Sequence, residues 1–207
     1  MFSKPKYPRD IIFVDWDDTV LPSSALQAED VNQKAKLARH TLAAIEFFRQ
    51  VKQRGDCCIV TNGESGWVEG SCVKYLPGLV PEIKMIPIVS ARSLFGADNP
   101  DNPVAWKYNA FSHMLSIANP PPSNVVSIGD SLCERITIKQ AVANLTNGCT
   151  VKTIKLLDKP TIGTLTTQLN LLADRLSDPL DGLLSVLGGA DVDITIEQPS
   201  PASKSEP

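Results

Sequence analysis

The chain has 207 residues, 43% of them apolar and 21% charged, and a formal net charge of −3. That balance is ordinary for one globular domain with a sizeable core. It gives no electrostatic footprint for nucleic acid, and no apolar run approaches the length of a bilayer span.

The start, MFSKPKYPRD, carries charge and two prolines with no apolar core behind them, so neither a secretory signal nor a transit peptide is expected, and the expected location is cytoplasmic. Cys57, Cys58, Cys72, Cys133 and Cys149 form an odd set with no CxxC pair and no histidine at ligand spacing. They are expected as reduced thiols rather than as a disulfide framework or a zinc site.

Ile11 to Val14 is a short apolar run without polar alternation, the pattern of a parallel strand covered on both faces, expected over 11–15. A long helix should follow. Val31, Ala35, Ala38, Leu42, Ile45, Phe48 and Val51 recur at steps of three or four, and Gly55 is placed to end the helix in the left-handed conformation. CCIVTNG, 57–63, reads as a second strand, 65–75 as a helix, and IKMIPIVS, 83–90, as a third strand that Pro87 consigns to an edge. GADNPDNP is a loop. Asn102 before Pro103 marks a helix start, with the helix running to Asn119 ahead of the prolines at 120–122. NVVSIGD, 124–130, and TVKTIKLL, 150–157, supply two more strands, and Ile162, Leu165, Leu169, Leu172 and Leu176 line one face of a last helix.

Strand and helix alternate, so the expected fold is a doubly wound three-layer α/β/α domain over 1–176 with a central parallel sheet of about five strands. Over 177–207 the pattern decays. SDPLDGLLSVLGGADVD has room for one short apolar helix, and ITIEQPSPASKSEP, acidic and rich in Pro and Ser, reads as a disordered tail.

In open parallel sheets ligands bind outside the carboxyl ends of the strands. The first strand ends there in Asp15, Asp17 and Asp18, the second in Thr61-Asn62, and the fourth in Gly129-Asp130-Ser131 with Glu134 close behind. Two carboxylates about 4 Å apart repel by roughly 4 kcal/mol at an effective dielectric of about 20, so such a cluster needs a cation. Lys107, near the start of the helix before the fourth strand, is the best-placed lysine; Lys84 and Arg92 are its rivals.

On these residues the chain resembles the haloacid-dehalogenase-type (HAD-like) phosphohydrolase superfamily. The matching motifs arrive in the family's order: a hydrophobic strand then Asp15-Trp16-Asp17-Asp18-Thr19, a strand ending in Thr61, Lys107, and Gly129-Asp130 with Glu134. The resemblance covers about 10–175 and implies a Rossmannoid core. It also implies Asp15 as a nucleophile that forms an aspartyl phosphate, and Asp17 as the acid that protonates the leaving group and then activates water. Mg²⁺ would be held by Asp15, Asp130 and the Asp17 backbone carbonyl. Thr61, Asn62 and Lys107 would bind the phosphoryl oxygens, with Glu134, in place of the commoner aspartate, beside the metal or linked to it through water. Asp18 stands where many relatives carry glycine, and is expected to face solvent or to order the next loop. Trp16 either walls the site or packs, and Glu64 to Trp67 either shape the entrance or start a helix. His40 and His113 are expected in core or surface roles.

Neither the gap from Asp15 to Thr61 nor that from Thr61 to Lys107 leaves room for a cap domain, and the resemblance then implies the capless subtype with an open site. The expected function is Mg²⁺-dependent hydrolysis of a phosphomonoester, on a phosphorylated small molecule or phosphoprotein, with no nucleic-acid or membrane partner. The rival reading is a catalytically idle domain of this fold that binds another protein. Dehalogenation needs neither Asp17 nor Asp130, and a phospho-accepting receiver domain orders its acids differently along the strands.

Overall fold

The computed structural model describes residues 10–27, 32–145, 148–177 and 192–196. Ile11–Val14 forms β1. It is joined by Asp56–Thr61 (β2), Ile88–Ser90 (β3), Asn124–Gly129 (β4), Thr150–Lys155 (β5) and Val192–Thr195 (β6) in one sheet of order β3-β2-β1-β4-β5-β6. Every pairing is parallel. Parallel neighbours need crossovers, and helices supply them. These are α1 (Gln33–Arg54), α2 (Trp67–Tyr75), α3 (Val80–Ile83), α4 (Ala91–Phe95), α5 (Pro103–Ile117), α6 (Leu132–Ala143) and α7 (Ile162–Ser177).

The strands are apolar on both sides because both sides are covered. Ile12, Val14, Ile59, Val126 and Ile154 pack with Phe47, Phe48 and Val51 of α1 and Leu165, Leu169 and Leu172 of α7. Phe13, Cys58, Val60, Val125 and Val151 face the other way, against Ala110, Phe111 and Leu115 of α5 and Ile138 and Ala141 of α6. All five cysteines are free, and burial pushes the Cys58 thiol up to about 12. No described helix is long and apolar enough to cross a membrane.

Among the described residues the sheet has six strands where about five were expected. The sixth falls in the region read as a tail, of which 178–191, including the expected short helix, and 197–207 lie outside the described residues. β6 pairs with β5 from Lys152↔Val192 to Lys155↔Thr195. Arg135 Nη2 donates to the Ile194 carbonyl at 2.5 Å, and Lys139 pairs with Asp193 at 2.5 Å. Composition averaged over the tail hides Val-Asp-Ile-Thr, a local β-branched alternation that suits an edge strand.

The third strand is shorter than its apolar run. Residues 80–83 are helical, and only Ile88–Ser90 pair, at the sheet edge and directly after Pro87.

α1 buries a different face from the one its aliphatic spacing suggests. Leu42 is 68% exposed and Ala35 and Ala38 are exposed, while Leu37, His40, Thr41, Ala44, Phe47, Phe48 and Val51 are buried. His40 and Thr41 tolerate burial because their polar atoms are paired. His40 Nε2 hydrogen-bonds the Val20 carbonyl at 2.7 Å, its Nδ1 lies 3.1 Å from Thr166 Oγ1, and Thr41 donates to the Leu37 carbonyl at 2.8 Å. Burial lowers the His40 pKa, which favours the neutral ring.

Gly55 does not end α1 in the left-handed conformation; its φ of −175° is extended. Its reason is proximity: a Cβ there would meet the Asp10 carbonyl oxygen at 2.4 Å, as the chain enters β2 beside the start of β1.

Between β1 and β4 the winding reverses, and that reversal opens a crevice beyond the carboxyl ends of both strands. The described residues between Asp15 and Lys107 all belong to the sheet and its covering layers, with no separate lobe.

Gly55→Ala is expected to destabilise the protein by about 1–3 kcal/mol through this overpacking. The effect should read as a lower urea midpoint with an unchanged m-value.

Candidate active site

Asp15 continues the ladder beyond β1, its backbone N–H donating to the Ile128 carbonyl at 2.9 Å. The chain then closes a tight loop in which the Val20 and Leu21 N–H groups both donate to the Trp16 carbonyl at 2.9 Å. Trp16 packs rather than lining the site: it is fully buried, and its Nε1 donates to Ser71 Oγ at 2.9 Å. Asp18 adopts φ 52°, the left-handed region that glycine occupies without cost. Of its two expected placements, the structure has the one that orders the loop. Its buried carboxylate accepts from Ser24 N–H at 2.9 Å, from Ser23 Oγ at 3.3 Å and from Ser24 Oγ.

Among the candidate cations only Lys107 reaches the acids. Its side chain is buried on α5, and its Nζ donates to Asp15 Oδ1 at 2.5 Å and to Glu134 Oε1 at 3.1 Å. Lys84 is exposed at the end of α3, and Arg92 pairs with Glu64 at the surface at 3.4 Å. Burial alone would lower the Lys107 pKa, but Asp15 and Glu134 outweigh it and hold the pKa above the ordinary lysine value.

Glu134 is fixed twice over. Its Oε2 accepts from the Ser131 N–H at 3.2 Å and from Ser131 Oγ at 2.6 Å, completing a capping box at the start of α6. Burial would raise its pKa, yet Lys107 and Ser131 hold it below the usual carboxylate value. The S-x-x-E spacing of Ser131 and Glu134 was a legible capping signal. Gly129 makes room for this acid, since a Cβ there would meet Glu134 Cγ at 2.7 Å.

Asp17 sits toward the other side of the crevice. Thr61 Oγ1, at the end of β2, lies 3.5 Å from its Oδ2 and also accepts from the Gly63 N–H at 2.9 Å. The indole of Trp67 donates to both Asp17 carboxylate oxygens, at 3.1 and 3.0 Å. The sequence left Trp67 between an entrance role and a helix start; it opens α2 and touches an acid of the cluster. Neighbouring Asn62 donates from Nδ2 to the Pro103 carbonyl at 3.4 Å, while its buried Oδ1 has no hydrogen-bond partner.

Asp130 follows β4 and stands within electrostatic reach of Asp15, Glu134 and Asp18. Burial, then repulsion from Asp15, Glu134 and Asp18, raises its pKa to about 7. Asp15 is likewise raised to about 7, by burial that Lys107 only partly offsets and that Glu134 and Asp17 reinforce. Lys155 does not relieve Asp130. Its Nζ donates to the backbone carbonyls of Asp130 and Leu156, at 2.7 and 3.0 Å, and to the Asp158 carboxylate at 2.7 Å.

The crevice thus concentrates oxygen donors and more negative charge than one lysine neutralises, a donor set that suits a hard divalent cation such as Mg²⁺. No group of three or more His, Cys, Asp or Glu side chains able to hold a metal occurs among the described residues. Asp15 and Asp130 would therefore need a backbone carbonyl, water and ligand oxygens to complete a shell.

No protein-family model matches this chain, and no curated protein matches it. Among solved structures it is similar to a protein from Burkholderia xenovorans LB400 described as a haloacid dehalogenase-like hydrolase. The identity is 14% and the TM-score 0.43, over 90% of this chain and 93% of that one. At that distance the likeness carries no weight for function.

Two outcomes test the charge balance. Asp130's raised pKa means that the metal-free folded protein holds a proton between about pH 4 and pH 7 that the unfolded chain releases, so stability falls as pH rises through that window. Asp130→Asn should therefore raise the stability of metal-free protein at pH 8 by about 1–2 kcal/mol, after allowing for solvent screening, and have little effect at pH 4. Lys107→Met should do the reverse at pH 8, costing about 3 kcal/mol by stranding buried carboxylates, with a smaller loss at pH 6 where Asp15 can take up a proton. Urea unfolding with chelator present measures both.

Proposed function

We propose that the protein is a Mg²⁺-dependent phosphohydrolase that cleaves a phosphomonoester through an aspartyl-phosphate intermediate on Asp15. The observation that carries this reading is the buried Lys107 bridging Asp15 and Glu134 in the crevice between β1 and β4. A structural ion pair needs one acid. Here several acids gather at the end of a sheet where polar ligands bind, as a site awaiting a cation and an anionic substrate would require.

In this reading Lys107 favours the ionised form of Asp15 and aims it, so that a carboxylate oxygen attacks phosphorus while the bond to the leaving oxygen breaks. Asp17 gives its proton to the departing alkoxide, then as a carboxylate removes a proton from the water that hydrolyses the acyl phosphate. The Thr61 hydroxyl, the Asn62 backbone N–H and Lys107 hold the phosphoryl oxygens. Glu134 orients Lys107 through the 3.1 Å contact. Asp15 and Asp130, with the Asp17 carbonyl, would hold Mg²⁺, which when bound neutralises charge building on the phosphoryl group. Because the described residues include no separate lobe over the strand ends, the site suits a phosphoprotein as well as a small phosphate ester.

The second reading, an idle domain that binds a protein partner, is the one to exclude. With 4-nitrophenyl phosphate, purified protein should release nitrophenol with Mg²⁺ and stop with excess chelator. Asp15→Asn should lower turnover by at least about 10³-fold. No metal-dependent release from folded wild-type protein would favour the binding module, and unchanged turnover in Asp15→Asn would remove Asp15 as nucleophile.

A further inference from the structure

The geometry points to Trp67 as the positioning residue for the leaving-group acid: its indole N–H holds the Asp17 carboxylate in the orientation from which the proton is delivered. The inference rests on the phosphohydrolase reading above and adds to it a residue that the motifs do not contain.

Asp15 and Asp17 are held by opposite sides of the crevice. Asp15 is gripped by Lys107 from α5, and the Thr19 hydroxyl lies 3.5 Å from its Oδ2. Among the described residues Asp17 has no lysine contact of that kind; its close partners are Ser23, Thr61 at 3.5 Å and the Trp67 indole at 3.0 and 3.1 Å. The two Trp67 contacts are shorter than that of Thr61, and they fork across both oxygens, which fixes the plane of the carboxylate as well as its place.

The donor is itself held. A Cβ on Gly63 would stand 2.4 Å from Trp67 Cδ1, so the indole lies directly against a backbone that must lack a side chain there. Trp67 N–H donates to the Glu64 carbonyl at 3.0 Å, and Gly66 enters α2 at φ 84°. The turn from β2 into α2 is shaped to present one aromatic edge to Asp17.

An indole N–H donates and cannot accept. It can therefore orient Asp17 without competing for the proton that the acid must pass to the departing oxygen. At 39% exposure Trp67 also reaches the rim of the crevice rather than the core, so its chemistry is not explained by packing alone.

The test uses two substrates with the full-length protein and Mg²⁺. An activated aryl ester such as 4-nitrophenyl phosphate leaves with little protonation, whereas an alkyl ester such as glycerol 2-phosphate needs the acid. Trp67→Phe keeps the ring and deletes the donor. It is expected to lower kcat/KM for the alkyl ester by about 10–100-fold and for the aryl ester by less than about 3-fold. Trp67→His, which can still donate, should recover part of the alkyl-ester loss. In ¹⁵N-labelled protein the Trp67 indole signal should move in Asp17→Asn while those of Trp16 and Trp106 stay, a readout independent of turnover. Equal losses on the two esters, or an unmoved Trp67 signal, would overturn the positioning role while leaving the hydrolase reading intact. Wild-type protein inert on both esters would overturn that reading and the role of Trp67 with it.

Discussion

An ammonium group excluded from water is a liability unless its surroundings carry the opposite charge, and in this molecule the surroundings were assembled from three separate pieces of chain. Lys107 comes from the second turn of α5, Asp15 from the end of β1, and Glu134 from the first turn of α6. None of the three would be stable there without the others, because breaking a buried pair costs far more than the pair contributes when intact. The doubly wound sheet is the device that makes them meet. β1 and β4 are neighbours in space though more than a hundred residues apart in sequence, and their carboxyl ends open on the same crevice.

The same cluster places function at odds with folding. Asp15 and Asp130 both carry pKa values near 7, a sign that the folded chain pays to keep them charged when nothing else is bound. Core packing of both helical layers against the sheet supplies the stability that tolerates this repulsion. Natural proteins concentrate such local costs where ligands act, and a bound cation would turn the cost into affinity.

Much of this could be read from residue order. Unbroken apolar runs mark strands covered on both faces, and the acids at 15, 17 and 130 stand where those runs stop. Residue order ranked Lys107 ahead of Lys84 and Arg92, but residue type says nothing of direction, and it is α5 that aims Lys107 inward at Asp15. Other features escaped because the signals are local or satisfied. His40 and Thr41 lie on the buried face of α1 as polar residues with partners, which an apolar stripe cannot register. Trp67 meets Asp17 across fifty positions, and no spacing rule reports that contact. β6 was masked by the acidic, proline-rich composition around it.

That last strand bears on how the chain can be shortened. Arg135 holds the Ile194 carbonyl, and the adjacent Glu134 holds Lys107, so two neighbouring side chains of one helical turn link the outermost strand to the charged crevice. Losing Val192–Thr195 to a protease would bare the hydrogen-bonding edge of β5, an invitation to sticking between molecules. It would also take from Arg135, one residue from Glu134, its contacts with Asp193, Ile194 and Thr195, leaving its Nε on Thr153 Oγ1 at 2.9 Å. The outermost strand is thus a seal on the sheet, and damage to it would be felt first as insolubility and only then as chemistry.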